Sequence, residues 1–176
     1  MTADKIKTFD VLIEIPRGSR NKYEYDFAIK RMRFDRMLFS SMMYPADYGF
    51  IPETLALDGD PLDVLVLVTK PTFPGCVMEV KPIGVFHMAD DKGPDEKVIC
   101  VPVSDPIWNQ LNDLSDVNPH LIKEIEHFFQ VYKDLENKQV DVEGWGDVNE
   151  AKDIYIKCKD RFDAIENKPE GLFSIG

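Results

Sequence analysis

The stretch "LALDGDPLDVLVLVTK" (55–70) sets three aspartates, Asp58, Asp60 and Asp63, within six positions directly ahead of an apolar run. Like charges that close raise one another's free energy unless a positive charge sits among them. A second acidic group, Asp90, Asp91 and Asp95, stands in "MADDKGPDEK", and Glu14, just before Pro16, is a third contributor. An oxygen-only set of this kind suits a hard cation, magnesium or manganese, rather than zinc, which calls for His or Cys. The three histidines (His87, His120, His127) are scattered without zinc-binding spacing, and the three cysteines (Cys76, Cys100, Cys158) form no CxxC pair. A calcium loop of the EF-hand type is excluded. Counted from Asp58, its fifth, sixth and twelfth positions are Leu62, Asp63 and Thr69, where an oxygen, a Gly and a Glu are needed. One aspartate here would be an ordinary turn cap on backbone amides; three of them, with a second cluster two strands later, ask for a cation.

Residues able to bind an anion are spread along the chain. Lys22 and Glu24 flank Tyr23 in "NKYEYD", and Arg36 stands in "FDRML". Tyr44 and Tyr48 belong to "YPADYGF", Lys97 closes the second acidic loop, and Tyr132 and Lys133 end a helical stripe. Arginine offers phosphate a rigid fork, lysine a point charge and tyrosine a neutral donor. Taken one at a time, each is equally at home as a surface charge or a packed aromatic, and packing alone accounts for Tyr132.

The elements that must position these groups are strands first and helices last. The segments 9–16, 21–27, 62–69, 81–88 and 97–103 are predicted strands, separated by turns at "PRGSRN", "DGDP", "KPTFPG" and "DDKGPD". The run 62–69 is nearly all apolar, so it is expected to be covered on both faces. Closely spaced strands broken by such turns indicate a small barrel or sandwich. Over 118–136 the period changes: Leu121, Ile122, Ile125, Phe128, Phe129, Tyr132 and Leu135 form a helical stripe, with Asn118 as its cap and Pro119 in its first turn. A second helix is expected from about Asp147 to Phe162, with Asp147 and Glu150 as a capping box. The last residues, "NKPEGLFSIG", are expected to be a loose or docking tail.

A chain of 176 residues is expected to form one domain, residues 1–176, with a sizeable core. Its net charge of −11 opposes non-specific binding of nucleic acid or anionic membrane. No apolar run is long enough for a membrane span, the N-terminus shows no signal-peptide core, and the sparse cysteines point to the cytoplasm.

The segments "EIPRGSRNKYEYD", "FDRML", "YPADYGFIPETLALDGDPLDVLV", "GVFHMADDKGPDEK" and "HFFQVYKDLE" come in the order, and near the spacing, of the family I soluble inorganic pyrophosphatases. "DGDPLDV" is similar to that family's signature. The resemblance spans roughly 9–165, and the chain's length and charge resemble the bacterial branch rather than the longer eukaryotic one. It implies a mainly β fold with α: a five-stranded OB-like closed barrel flanked by two helices. The implied reaction is hydrolysis of pyrophosphate to two orthophosphates with Mg²⁺, three to four ions being present with substrate. It further implies that Asp58, Asp63 and Asp95 hold a first metal, that Asp63 also holds a second, that Asp90 and Asp95 hold a third, and that Glu14 supports a fourth with Glu24 nearby. Asp60 would accept the proton of the attacking water. Lys22, Arg36, Tyr48, Lys97, Tyr132 and Lys133 would contact the phosphates, with Tyr44 behind them. Asp91 stands where the bacterial pattern often has Glu. A homohexamer is implied by resemblance alone.

On this reading the aspartates hold cations that reverse the sign of the field a multiply charged anion meets. Two other classes stay open at the level of sequence. An OB-like binding module would need a basic groove with stacking aromatics, which the acidic charge opposes. A catalytically inactive homologue would be expected to lack part of the residue set. A nucleotide phosphohydrolase is a further possibility, although no Walker A pattern is present.

Overall fold

The computed structural model describes residues 6–91 and 93–175; residues 1–5, within the polar N-terminal segment, together with Lys92 and Gly176, lie outside the described part. The strands in chain order are β1 (Phe9–Ile15), β2 (Asn21–Asp26), β3 (Arg31–Met37), β4 (Asp47–Phe50), β5 (Asp63–Val66), β6 (Val77–Asp90), β7 (Gly93–Pro94), β8 (Lys97–Pro102) and β9 (Asp141–Gly146). Helix α1 (Pro119–Val131) precedes β9, and α2 (Val148–Asp163) follows it.

Five strands close on themselves in the order β1–β4–β5–β8–β6, and β6 pairs back onto β1. The result is a ring-like sheet close to a barrel. All of these pairings are antiparallel except β5 with β8, which run side by side from Asp63 opposite Lys97. The strands β2 and β3 form a separate two-stranded hairpin, and β9 extends the long β6. Strand β4 approaches β1 so closely that a Cβ on Gly49 would lie 1.9 Å from the carbonyl oxygen of Leu12. A glycine there lets the two strands bearing Tyr48 and Glu14 pack edge to edge.

The expected two-sided burial of the 62–69 run is borne out, and alternation explains it. Val64, Val66 and Val68 belong to a core cluster with Ala151, Ile154 and Cys158 of α2. Leu65 and Leu67 belong to another, with Ile125, Phe128 and Phe129 of α1. Successive side chains of a strand point to opposite faces, so one apolar strand serves two cores. At about 1.5–3 kcal/mol for each large apolar side chain removed from water, this is the rigid frame on which the polar groups are mounted.

Both helices begin as expected. Asn118 accepts the amide of His120 at 2.8 Å with Pro119 in the first turn, and Asp147 accepts the amides of Asn149 and Glu150 at 2.8 and 2.9 Å. The reciprocal arm of the box differs, since the Glu150 carboxylate lies 3.2 Å from His87 Nε2 on β6. Helix α1 ends at Val131, and the rest of the expected stripe winds into a 3-10 turn over Asp134–Glu136, closed by Asn137 at a left-handed φ of 54°. Strands β3, β4 and β9, and the two-residue β7 within the "DDKGPD" turn, are not among the strands expected from the sequence. The hairpin strand β3 exposes both faces and so lacks alternation, β4 is only four residues long, and β9 carries Gly144 and Gly146.

Candidate active site

Register brings the first acid and the first base together. Asp63 opens β5, Lys97 opens β8, and the two are direct partners in the parallel ladder. Lys97 is 1% exposed, and its ammonium donates to Asp63 Oδ2 at 2.6 Å and to Asp95 Oδ1. The Tyr48 hydroxyl donates to the same Asp63 oxygen, and the Lys97 ammonium lies 5.5 Å from the centre of the Tyr48 ring. Burial alone would depress the Lys97 pKa, but Asp63 and Asp95 more than reverse that and hold the group firmly charged. The Asp95 carboxyl is pushed up by burial and by Asp63, against the pull of Lys97.

The other predicted residues border this centre. Asp58 and Asp60 lie in the loop before β5, where the Asp60 amide donates to Asp58 Oδ1 at 3.1 Å. Burial raises the Asp58 pKa, and Asp60 and Asp95 add to the rise. Glu14, on β1, accepts the Tyr25 amide at 2.7 Å. Burial drives its carboxyl up to about 8, reinforced by Asp63 and Glu24 and opposed by that hydrogen bond and by Lys22. Asp90, at the end of β6, takes the Lys133 ammonium at 3.0 Å. Tyr132 is buried between α1 and the ring, and burial lifts its hydroxyl, with Lys97 and Lys133 pulling the other way. Tyr44 packs against Tyr48 at 5.4 Å between ring centres, which places it behind the site. Asp91 is exposed.

The hairpin supplies the opposite bank. Lys22 and Arg36 are cross-strand partners on β2 and β3. Lys22 is paired with Glu24 and lies 3.3 Å from Asp35. Arg36 makes a bidentate contact of 2.9–3.1 Å with Glu136, in the turn after α1. Sequence reasoning missed Asp35 and Glu136. Glu136 sits a hundred positions from Arg36, and nothing local marks it as the residue that fixes the guanidinium.

Among the described residues no three His, Cys, Asp or Glu side chains stand as a preformed metal cage; an ammonium occupies the space between Asp63 and Asp95. The chemistry of the donor set nevertheless fits hard divalent cations. It is built of carboxylates, and Glu14, Asp58 and Asp95 are held where their charged forms are costly unless positive charge is near.

The pattern of the family described as inorganic pyrophosphatase matches residues 11–163. The chain belongs to the inorganic pyrophosphatase family. That membership makes it an enzyme of the inorganic diphosphatase class. The inorganic pyrophosphatase of Methanosarcina mazei is 60% identical over 152 residues, 86% of this chain and 90% of that one. That of Leifsonia xyli subsp. xyli is 54% identical over 147 residues, 83% and 90% of the two chains. The crystal structure of inorganic pyrophosphatase from Thermus thermophilus superposes with a TM-score of 0.88 at 45% identity, covering 91% of this chain and 94% of that one. The closed ring with two helices is thus the architecture of solved pyrophosphatases. Among the described residues no helix is long and apolar enough to cross a membrane.

Proposed function

We propose that the chain hydrolyses inorganic pyrophosphate to two orthophosphates in a Mg²⁺-dependent reaction, with Asp60 as the general base. The observation that carries this reading is the meeting of Asp63, Asp95, Lys97 and Tyr48 at one edge of the ring, with Asp58 and Asp60 on the adjoining loop. Asp58, Asp63, Asp95, Asp90 and Glu14 would hold three to four Mg²⁺ ions, with Glu24 supporting. Bound there, the ions supply positive charge against the phosphates and ease the deprotonation of water.

The remaining steps belong to the chain's own side chains. Asp60 takes the proton of the attacking water, as a carboxylate within reach of the nucleophile. Lys22 and Arg36 hold the substrate from the hairpin, and Arg36 arrives already oriented by Glu136. Lys97, Tyr48, Tyr132 and Lys133 bind it from the ring and α1, stabilising charge as it develops on the departing phosphate. Tyr44 packs behind Tyr48 and fixes its ring. No side-chain nucleophile is needed. One pyrophosphatase domain over 1–176, a homohexameric assembly and a cytoplasmic home belong to the same reading.

The test is orthophosphate release from pyrophosphate with and without Mg²⁺, with a nucleoside triphosphate in parallel. Mg²⁺-dependent release from pyrophosphate in clear excess over the triphosphate is expected. No release from pyrophosphate, or equal release from both, would overturn the reading.

A further inference from the structure

The C-terminal segment 164–175 lies beyond the residues that match the family pattern, yet it is folded onto the molecule at a consequential place. Phe173 sets its ring edge-on to that of Phe27, 5.2 Å between centres, and tilted to that of Phe162 on α2, 6.1 Å away. Its carbonyl accepts the Glu53 amide at 3.1 Å. These contacts reach both arms of the site.

Phe27 sits at the tip of the β2–β3 hairpin, the arm that carries Lys22 and Arg36. That hairpin is a two-stranded sheet of its own, and an isolated pair of strands is marginal in water. Its tip is anchored through aromatic contacts, with Phe27 5.4 Å from Phe50 and 5.2 Å from Phe173. Glu53 opens the other arm, the loop that runs to Asp58 and Asp60. The same loop is fastened to α2 through the Leu55 amide on the Cys158 carbonyl at 3.0 Å and through the Arg161 guanidinium on the Leu55 carbonyl. The tail therefore lies where the phosphate-binding hairpin, the aspartate loop and α2 meet.

We infer that Phe173 is a positioning residue: the C-terminal tail straps the hairpin tip to the frame and so fixes Lys22 and Arg36 relative to Asp58 and Asp60. This rests on the reading of the site as a pyrophosphate site, but the strap itself is a statement about the hairpin. It acts through Lys22 and Arg36, which bind substrate in the ground state, so its loss falls on KM rather than on kcat.

The experiment uses the full chain and three proteins: the parent, Phe173→Ala and Phe173→Tyr. In Phe173→Ala, KM for pyrophosphate rises on the order of fivefold while kcat stays within about twofold. Tryptic cleavage after Lys30 or Arg31, at the hairpin tip, accelerates by a similar factor, because nicking follows local opening. Phe173→Tyr, which keeps the ring, behaves as the parent in both. Unchanged cleavage at the tip in Phe173→Ala overturns the strap, and faster cleavage with an unchanged KM overturns its link to the site. A parent that cleaves no pyrophosphate defeats the reading of the site, and the proteolysis then decides the strap alone.

Discussion

Two acidic centres lie at the ring's edges, one fully buried and one half-buried with Asp60 exposed, and they are built in opposite ways. Asp47, the first residue of β4, is fully buried and saturated with donors: the Arg17 amide at 2.7 Å, the Thr72 amide at 3.0 Å and the Thr72 hydroxyl at 2.6 Å. Its donors are neutral groups tying two loops to the strand. At the other centre Asp63 and Asp95 share one ammonium, Asp58 and Asp60 sit side by side, and Glu14 is held out of its usual range. A carboxylate placed for stability collects its own hydrogen bonds. Carboxylates placed for function crowd one another and depend on positive charge for their ionised forms. The contrast separates an aspartate held by the fold from those proposed to serve the chemistry.

The sharpest way to break the comparison is to neutralise one member of each centre. Asp60→Asn is expected to lower turnover about 10²–10⁴-fold at saturating Mg²⁺ with the thermal midpoint nearly unchanged. Full turnover in that variant would remove Asp60 as the base. Asp47→Ala is expected to do the reverse. It strands two backbone amides and costs about 3 kcal/mol of stability, measured by denaturant unfolding, while Mg²⁺ dependence of the folded protein stays within about twofold. A changed Mg²⁺ titration there would show that the two centres are not separate.

The smallest expected effect concerns Glu14. Its folded pKa of about 8 lies above the ordinary value of 4.5, so the neutral form is favoured on folding. The stability this contributes is complete below about pH 4.5 and is lost as pH rises toward 8. Glu14→Gln stays neutral throughout. In EDTA the variant is therefore expected to melt close to the parent at pH 4.5 and at least about 3 °C higher at pH 8. A variant that melts lower than the parent at pH 8 would show that the charged carboxylate is already satisfied.

The same contrast explains what was legible in the sequence. Asp58, Asp60 and Asp63 advertise themselves because like charges are adjacent in the chain, and the apolar run after them fixes a strand. The capped helices and the ring strands β1, β5, β6 and β8 follow from periodicity and turn residues, whereas β4 does not, and the closed barrel is implied only by the family resemblance. Asp47 carries no such mark, since its donors come from Arg17 and Thr72, thirty residues before it and twenty-five after. Glu136 is hidden for the same reason, being joined to Arg36 only by the fold. Strand β3, "RMRFDRM", defeats pattern reading because neither of its faces is buried in a core. The tail was legible only as a choice between loose and docked; the aromatic pocket of Phe27 and Phe162 that decides it is assembled from distant segments.

The central claim is that the crowded centre is a cation site. A crystal structure of the chain grown with Mg²⁺, and repeated with Mn²⁺ for its anomalous signal, tests it most directly. The account predicts ions about 2.0–2.2 Å from oxygens of Asp58, Asp63 and Asp95, with the Lys97 ammonium no longer lying between the two carboxylates. Well-ordered density showing Lys97 still bridging Asp63 and Asp95, and no ion among the aspartates at high Mn²⁺, would contradict it.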